Sequence, residues 1–138
     1  YTLSIEDVLR GIVKGRVFIS REPRGPILNT AIYYNNRLYS MGDVLSYNSS
    51  ERSAKVIADV EVGEELLKEG AVLRLLSSKG VLRVFHISGK LSRFTEVVDI
   101  DRDDRFIRAE IGYYADPYSL DPNSVTELLA LGNPIYIS

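Results

Sequence analysis

The sequence predicts a mainly β protein: an antiparallel, closed or nearly closed, OB-like barrel of about eight strands with two short helices. Residues 31–34 and 37–39 are rich in β-branched and aromatic side chains, and the two asparagines between them tolerate the positive φ of a tight hairpin turn. Residues 97–100 and 106–111 flank an Asp/Arg-rich turn in the same way and predict a second hairpin. Further strand-like runs follow at short spacing, and closure would remove their unpaired edges. Two halves that each carry an open Greek-key set of strands are the alternative.

The N-terminal third predicts one helix and four strands. Ser4 is a helix N-cap, and apolar residues then recur at helical spacing until Gly15. Residues 17–20 form a strand, and the two prolines within 21–26 form a turn because they cannot donate to a strand ladder. The first hairpin covers 27–39. Gly42 then suits a bulge or tight turn before the strand at 44–47.

The rest of the chain predicts a continuing meander that ends in a second helix. Residues 54–62 alternate as a strand, and 63–70 hold a single helical turn. A hairpin joins 71–76 to 81–88, and strands follow at 94–100 and 106–114. Ser124 and Glu127 form a capping box, with Gly132 and Pro134 as stop signals, so a helix is expected over 125–131. Residues 135–137 close the chain as a strand.

Composition predicts one soluble, folded domain over residues 1–138. The chain is 45% hydrophobic and 26% charged, which is ordinary for a globular protein. No apolar run approaches the length of a membrane span and no signal pattern is visible, so we expect a cytoplasmic protein. It has no cysteine, which favours a reducing compartment and removes thiolate chemistry. One methionine, no glutamine and more arginine than lysine are typical of thermophile proteins.

Four carboxylates follow the ligand spacing of a calcium-binding loop. They are Asp99, Asp101, Asp103 and Glu110. Such loops need glycine at the sixth position, where this chain has Asp104, and the flanking residues predict strands rather than helices. We therefore expect a charged hairpin tip, neutralised by Arg102 and Arg105, and no metal site.

His86 is the only histidine, so any histidine-based acid–base step would depend on it. It falls inside a predicted strand on the same face as Val84, and no GxSxG nucleophile turn accompanies it. We expect a hydrogen-bonded, partly buried strand histidine. One imidazole without thiolates also argues against structural zinc, and no cofactor is predicted.

Charge and tyrosine content indicate binding rather than catalysis. The net charge is −2, with a basic N-terminal stretch and an acidic last third, which predicts weak nucleic-acid binding. Adjacent tyrosines in a strand face opposite sides, so one of each pair should be exposed, where tyrosine anchors protein interfaces or stacks on bases. The candidate interface residues are Tyr33, Tyr34, Tyr39, Tyr113, Tyr114, Arg21 and Arg24.

Three stretches of the chain resemble the small RpoG-type (eighth-subunit) family of archaeal and eukaryotic RNA polymerases. They are residues 31–43, residues 85–93, and residues 108–114 with 135–137. The resemblance implies an eight-stranded antiparallel barrel of two OB-like halves that serves as a structural subunit.

We therefore expect a non-catalytic structural or adaptor subunit that binds larger protein partners in an intracellular complex, with RNA polymerase as the named candidate. One alternative is an OB-like module that binds single-stranded nucleic acid by tyrosine stacking. Another is a scaffold protein of a different assembly, for example a cytoskeletal one. A hydrolase using His86 with Asp99 or Asp101 is the enzyme hypothesis.

Overall fold

A computed structural model of the protein describes residues 5–6, 18–20 and 25–138. Within these ranges the chain forms short and medium strands, one helix and a 3-10 turn. The strands are β1 (Phe18–Ser20), β2 (Ile27–Tyr34), β3 (Arg37–Ser40), β4 (Val44–Leu45), β5 (Ser53–Glu61), β6 (Val72–Ser77), β7 (Gly80–His86), β8 (Leu91–Asp99), β9 (Phe106–Tyr114), β10 (Val125–Gly132) and β11 (Ile135–Ile137). The helix is α1 (Glu64–Glu69), and the 3-10 turn is Pro122–Ser124.

The strands form two sheets. The four-stranded sheet has the order β3-β2-β5-β8 and is antiparallel throughout. In the seven-stranded sheet β9 is central: β6 and then β7 lie on one edge, while β10 and β11 share the other. β1 extends this sheet beyond β10, and β4 pairs with β11 as the parallel pair.

The core lies where the inner faces of the two sheets meet. Alternate residues of β2 and β5 point inward, including Leu28, Ile32 and Val56, which are fully buried. Leu73 and Ile111 enter the same cluster from the seven-stranded sheet. The prediction of a mainly β, antiparallel protein is confirmed. Among the described strands neither sheet closes into a barrel, because no ladder joins β3 to β8 in the four-stranded sheet or β7 to β1 or β4 in the seven-stranded sheet.

Three predicted elements that depend only on neighbouring residues are present in the structure. β2 and β3 form the first hairpin, and Asn35 and Asn36 adopt φ of 49° and 61° in its turn. Such values suit a two-residue turn that follows the twist of the strands. The helical turn within 63–70 is α1, which ends at Gly70 in the left-handed region, and β6 and β7 form the expected hairpin.

The predicted hairpin of residues 97–100 and 106–111 is wrong. β8 pairs with β5 in the four-stranded sheet, whereas β9 pairs with β6, β10 and β11 in the other sheet. The Asp-rich connection therefore crosses from one sheet to the other. It is a tight turn, because the Asp104 carboxylate accepts the Asp101 N–H at 2.9 Å. Turn residues make the chain reverse but do not select the strand that it pairs with next.

The predicted helix over residues 125–131 is also wrong, because this stretch is strand β10. Pairing with β9 and β1 outweighs the local helix signals, as tertiary context often does. The hydroxyl of Ser124 bonds the Asp121 carbonyl and closes the 3-10 turn instead of capping a helix. Ile5 and Glu6 are helical, and the rest of the predicted N-terminal helix lies outside the described residues.

Candidate docking face

The four-stranded sheet has a face turned away from the core, which we call the outer face. Along β2, β5 and β8 the side chains alternate between core and exterior, so the odd-numbered residues of these three strands project outward. Leu38 of β3 lies beside Tyr33 in the ladder and joins the same face. The pleat alone therefore sets the membership of the outer face.

Large apolar side chains are concentrated on this face. Of the eleven exposed large hydrophobic residues in the described ranges, five belong to it. They are Leu91 (77% exposed), Val97 (63%), Leu38 (58%), Ile27 (49%) and Tyr33 (47%). The seven-stranded sheet carries three of the others, Val44, Leu128 and Tyr136, on strands β4, β10 and β11, and it is covered on both faces along β6, where every residue is buried. Contiguous exposed apolar surface of this kind marks interaction sites.

Strand register arranges the outer face into rows that run across the strands. One row, here the lysine row, places Lys55 of β5 between Tyr33 of β2 and Val97 of β8. A second, the glutamate row, places Glu61 between Ile27 and Leu91.

The two rows share one design. In each, a charged residue of the central strand has an exposed apolar neighbour on either side. Neither Lys55 nor Glu61 forms an ion pair with any described residue.

Between the rows the charges are already paired. Arg93 donates two hydrogen bonds to the carboxylate of Asp59, at 2.7 and 3.0 Å. Hydrogen bonding to Asp59 raises the pKa of the Arg93 guanidinium, and the negative charge of that carboxylate acts in the same direction. The centre of the outer face is thus electrostatically satisfied. Its charges without an ion pair to a described residue are Lys55 and Glu61 in the two rows and Asp99 at the end of β8.

Two shallow depressions lie on the outer face, one beside each row. The depression at the glutamate row has a volume of about 420 Å³ and is lined by residues that include Ile27, Leu91 and Arg93. The depression at the lysine row measures about 240 Å³, and Tyr33 and Val97 line it. Both are open surface features suited to receive protruding side chains.

Among the candidate interface residues, Tyr33 lies on the outer face, as the alternation predicts. Tyr34 points the opposite way and is 1% exposed. Its hydroxyl accepts a hydrogen bond from the Asn48 N–H at 2.8 Å and lies within donor distance of the Asn48 and Glu51 carbonyls, at 3.0 and 2.6 Å. Tyr39 is also buried in the core. These two tyrosines therefore cannot reach a partner. Arg21 and Arg24 lie outside the described residues.

Tyr113 and Tyr114 are both half-buried, so the expected alternation is not seen at the end of β9. The register there shifts between β9 and β10. The hydroxyl of Tyr113 donates to Glu69 of α1 at 2.8 Å, and burial together with that carboxylate raises the pKa of Tyr113 to about 12. The Tyr114 ring stacks under the Arg74 guanidinium at 4.3 Å, and burial raises the pKa of its hydroxyl above the usual range.

A buried ion-pair cluster lies on the side of the seven-stranded sheet that faces away from the core. Arg74 of β6 and Glu110 of β9 are hydrogen-bonded at 2.9 Å, with both side chains 6% exposed. Arg108 bonds the other oxygen of Glu110 at 2.9 Å. Arg74 also donates to the Ser119 carbonyl, which ties the loop after β9 over this part of the sheet. The cluster is a structural device that covers this face.

The calcium-type carboxylates do not converge. Glu110 belongs to the buried cluster on β9, whereas Asp101 lies exposed in the crossover turn. Lys79 neutralises Asp101 and approaches Asp104, a role that the sequence assigned to Arg102 and Arg105. The hydrogen bond from Lys79 lowers the pKa of the Asp101 carboxyl. No group of three or more metal-ligating residues occurs within the described ranges.

His86 is exposed at the last position of β7, and the expected partial burial is wrong. β7 is an edge strand that pairs with β6 alone among the described strands, so one side of His86 has no neighbouring strand.

Comparison with known proteins identifies no relative: no family model, curated protein or solved structure matches the chain. The resemblance to RpoG-type subunits therefore stays a prediction. In the part of the chain that the structure describes, no helix is long and apolar enough to cross a lipid bilayer.

Sequence reasoning identifies few residues of the outer face. Of the residues in the two rows, it predicts only Tyr33 as an interface residue. The alternation of residues 53–61 and 91–99 places Lys55, Glu61, Leu91 and Val97 on one side of each strand. Which of them become neighbours depends on register between strands far apart in sequence, and that information is absent from the local pattern.

Proposed function

We propose that the protein is a non-catalytic structural module that binds another protein surface through the outer face of its four-stranded sheet. The observation that carries this proposal is the concentration of exposed large apolar residues on that one face. Large exposed apolar side chains gathered on one face of a sheet are typical of a protein interaction surface.

The position of the outer face supports the same proposal. β6 of the seven-stranded sheet is buried on both sides, and the Arg74–Glu110 cluster fastens a loop across it. The four-stranded sheet buries only its inner face. Burial of its exposed leucine, isoleucine and valine side chains would be worth about 25 cal/mol for each Å² removed from water.

Single-stranded nucleic-acid binding is less well supported. Stacking on bases needs exposed aromatic rings beside a positively charged groove. On the outer face Tyr33 is the exposed aromatic residue, and its row neighbours are Lys55 and the apolar Leu38. The OB-like barrel and an RNA polymerase or another assembly as the partner remain predictions.

Site-specific photo-crosslinking tests the proposed function. A benzophenone side chain is placed at Val97 or Leu38 on the outer face, with Leu120 as the matched control because it is 54% exposed in a loop elsewhere. After irradiation in an extract of the source cells, we expect protein adducts from the first two positions and none from Leu120. Adducts only from Leu120, or only nuclease-sensitive adducts, would refute the proposal.

A further inference from the structure

We propose that the outer face binds a second copy of this chain, so that two four-stranded sheets pack face to face around a two-fold axis. This inference rests on the proposed function, because it names the partner of the same docking face. It follows from a symmetry in the positions of the charged and apolar side chains.

The lysine row and the glutamate row are equidistant from one point in the sheet. Lys55 and Glu61 lie three residues to either side of Ala58 on the central strand. Ala58 pairs with Thr30 of β2 on one side and with Phe94 of β8 on the other. Thr30 lies midway between Ile27 and Tyr33, and Phe94 lies midway between Leu91 and Val97. The rows are therefore about 20 Å apart, at ~3.3 Å per residue, and centred on Ala58.

A half turn of one copy exchanges the two rows. The axis lies between the two sheets and parallel to them. It runs perpendicular to the strands β2, β5 and β8, at the level of Ala58. In the resulting pair, Lys55 of each copy lies opposite Glu61 of the other. Two ion pairs form together, because a two-fold interface repeats every contact.

The same two-fold rotation also brings the apolar residues of the two rows opposite each other. Tyr33 comes to lie opposite Ile27 of the second copy, and Val97 opposite Leu91. The depression beside the glutamate row would then receive the Tyr33 and Val97 side chains of the other copy, and the reverse contact forms at the other end. Each unpaired charge of the two rows is thus surrounded by apolar contacts and meets an opposite charge.

This arrangement explains why the charges are tolerated on an apolar face. A partner with a wholly apolar surface would bury Lys55 and Glu61 without counterions, which is costly. A second copy supplies both counterions at the required spacing. The existing Asp59–Arg93 pair stays within each chain near the centre.

Sheet packing geometry is compatible with these contacts. Aligned sheets pack about 10 Å apart and cross at about 30°, which displaces the ends of the rows sideways. The long, flexible lysine side chain can follow that displacement. The contact is also closed, because both copies use the same surface and the pair covers that surface on each of them.

The size of the face predicts a weak dimer. Three strands spaced ~4.8 Å apart and about seven residues long, with the end of β3, give about 400 Å² of flat area on each copy. The pair would bury about 800 Å² before side-chain relief is counted, which is below the roughly 1,200 Å² of stable specific interfaces and in the size class of weak, transient ones. We therefore expect association in the micromolar range.

Charge reversal tests the pairing of Lys55 with Glu61. Sedimentation velocity is measured from about 1 to 500 µM on the full chain, its variants K55E and E61K, and a one-to-one mixture of the two variants. Each variant alone places like charges opposite each other twice, and we expect at least a ten-fold loss of affinity. In the mixture the glutamate introduced in one variant meets the lysine introduced in the other, and the native Glu61 and Lys55 meet at the second contact. A heterodimer of nearly wild-type affinity should therefore form.

The control is K68E, which reverses an exposed lysine of α1 that is not part of the outer face. It should dimerise like the wild type. Circular dichroism confirms that each variant is folded, and recovery in the mixture itself excludes misfolding as the cause of the loss.

A monomer at all concentrations, or a mixture that associates no better than the single variants, would overturn the inference. The crosslinking at Val97 separates this failure from failure of the proposed function. Adducts to a different protein from a monomeric chain leave the docking face standing and remove the second copy as its partner. The absence of any protein adduct removes both.

Discussion

At the scale of single residues, Tyr34 shows how one hydroxyl can hold a loop. It is buried beneath the outer face and meets backbone groups of Asn48 and Glu51, next to the bridge that these two residues form with each other. A buried backbone group that loses its partner costs about 1–3 kcal/mol. The loop between β4 and β5 is therefore fastened to the core by a side chain that the sequence suggested for an interface.

Replacement of Tyr34 by phenylalanine should lower the free energy of unfolding by about 1–2 kcal/mol, because the Asn48 N–H loses its acceptor and the Glu51 carbonyl loses the hydroxyl donor at 2.6 Å. The Asn48 carbonyl still accepts the Glu51 N–H. Tyr33→Phe is the control, since its exposed hydroxyl makes a single 3.3 Å contact to Asn36, and its effect should stay within about 0.5 kcal/mol. Urea unfolding measures both. Equal effects of the two substitutions would show that the Tyr34 hydroxyl does not hold the loop.

We expect the folded protein to lose stability at high pH because of Tyr113. Its pKa is raised from 10.0 to about 12 by burial and by the Glu69 carboxylate. The unfolded chain therefore loses this proton at lower pH than the folded protein does. The stability linked to Tyr113 is complete below pH 10 and is lost as pH rises from about 10 through about 12.

Urea unfolding between pH 9 and 12 measures this linkage. The fall in unfolding free energy should be shallower in Tyr113→Phe, whereas the exposed Tyr118→Phe should follow the wild type. If the Tyr113→Phe curve has the wild-type slope, the tyrosine hydroxyl is not held in its neutral form by α1.

At the scale of elements, the sequence predicts those that are encoded locally. The Asn35-Asn36 turn, the α1 helical turn and the β6–β7 hairpin need only neighbouring residues, and all three are present. The Asp101–Arg105 turn also forms, but its two strands enter different sheets. β10 carries helix signals and is nevertheless a strand.

Both errors arise from pairing between distant parts of the chain. β8 is matched to β5, and β10 to β9 and β1, by complementary apolar faces that no local window contains. The same limit applies to the docking face. Tyr33 could be predicted because adjacent tyrosines must alternate, but the meeting of Lys55 with Val97 depends on a register of strands more than forty residues apart.

β9 and β10 approach each other so closely at Gly112 that only glycine fits there. A methyl group at this position would lie 2.6 Å from the Glu127 carbonyl oxygen, a backbone atom that cannot move away without shifting β10. Gly112→Ala should therefore lower the unfolding free energy by about 2 kcal/mol or more. Gly89→Ala is the control, because the added methyl group would make only ordinary van der Waals contacts, at 3.6 Å to Ser92 and 3.7 Å to Leu91, and its effect should stay within about 0.5 kcal/mol. Thermal unfolding of the two variants to the same midpoint would contradict this account of the β9–β10 contact.

At the scale of the whole molecule, the two sheets are covered unequally. Along β6 the seven-stranded sheet is buried on both faces, and the buried Arg74–Glu110 pair helps to fasten a loop over one of them. The four-stranded sheet leaves its outer face to solvent, with apolar residues on all four strands. Both sheets contribute to the core, and this asymmetry is the reason that we propose the four-stranded sheet as the one that presents a surface to a partner.

The measurement that tests this account most directly is a methyl NMR dilution series of the wild-type chain. Between about 500 and 5 µM, we expect the methyl signals of Leu91, Val97, Leu38 and Ile27 to shift with concentration. The signals of Leu120 and Val44, which are also exposed but lie off the outer face, should stay fixed. Fixed signals from the outer face across the series, or shifts confined to Leu120 and Val44, would contradict the assignment of the outer face as the surface that joins two copies.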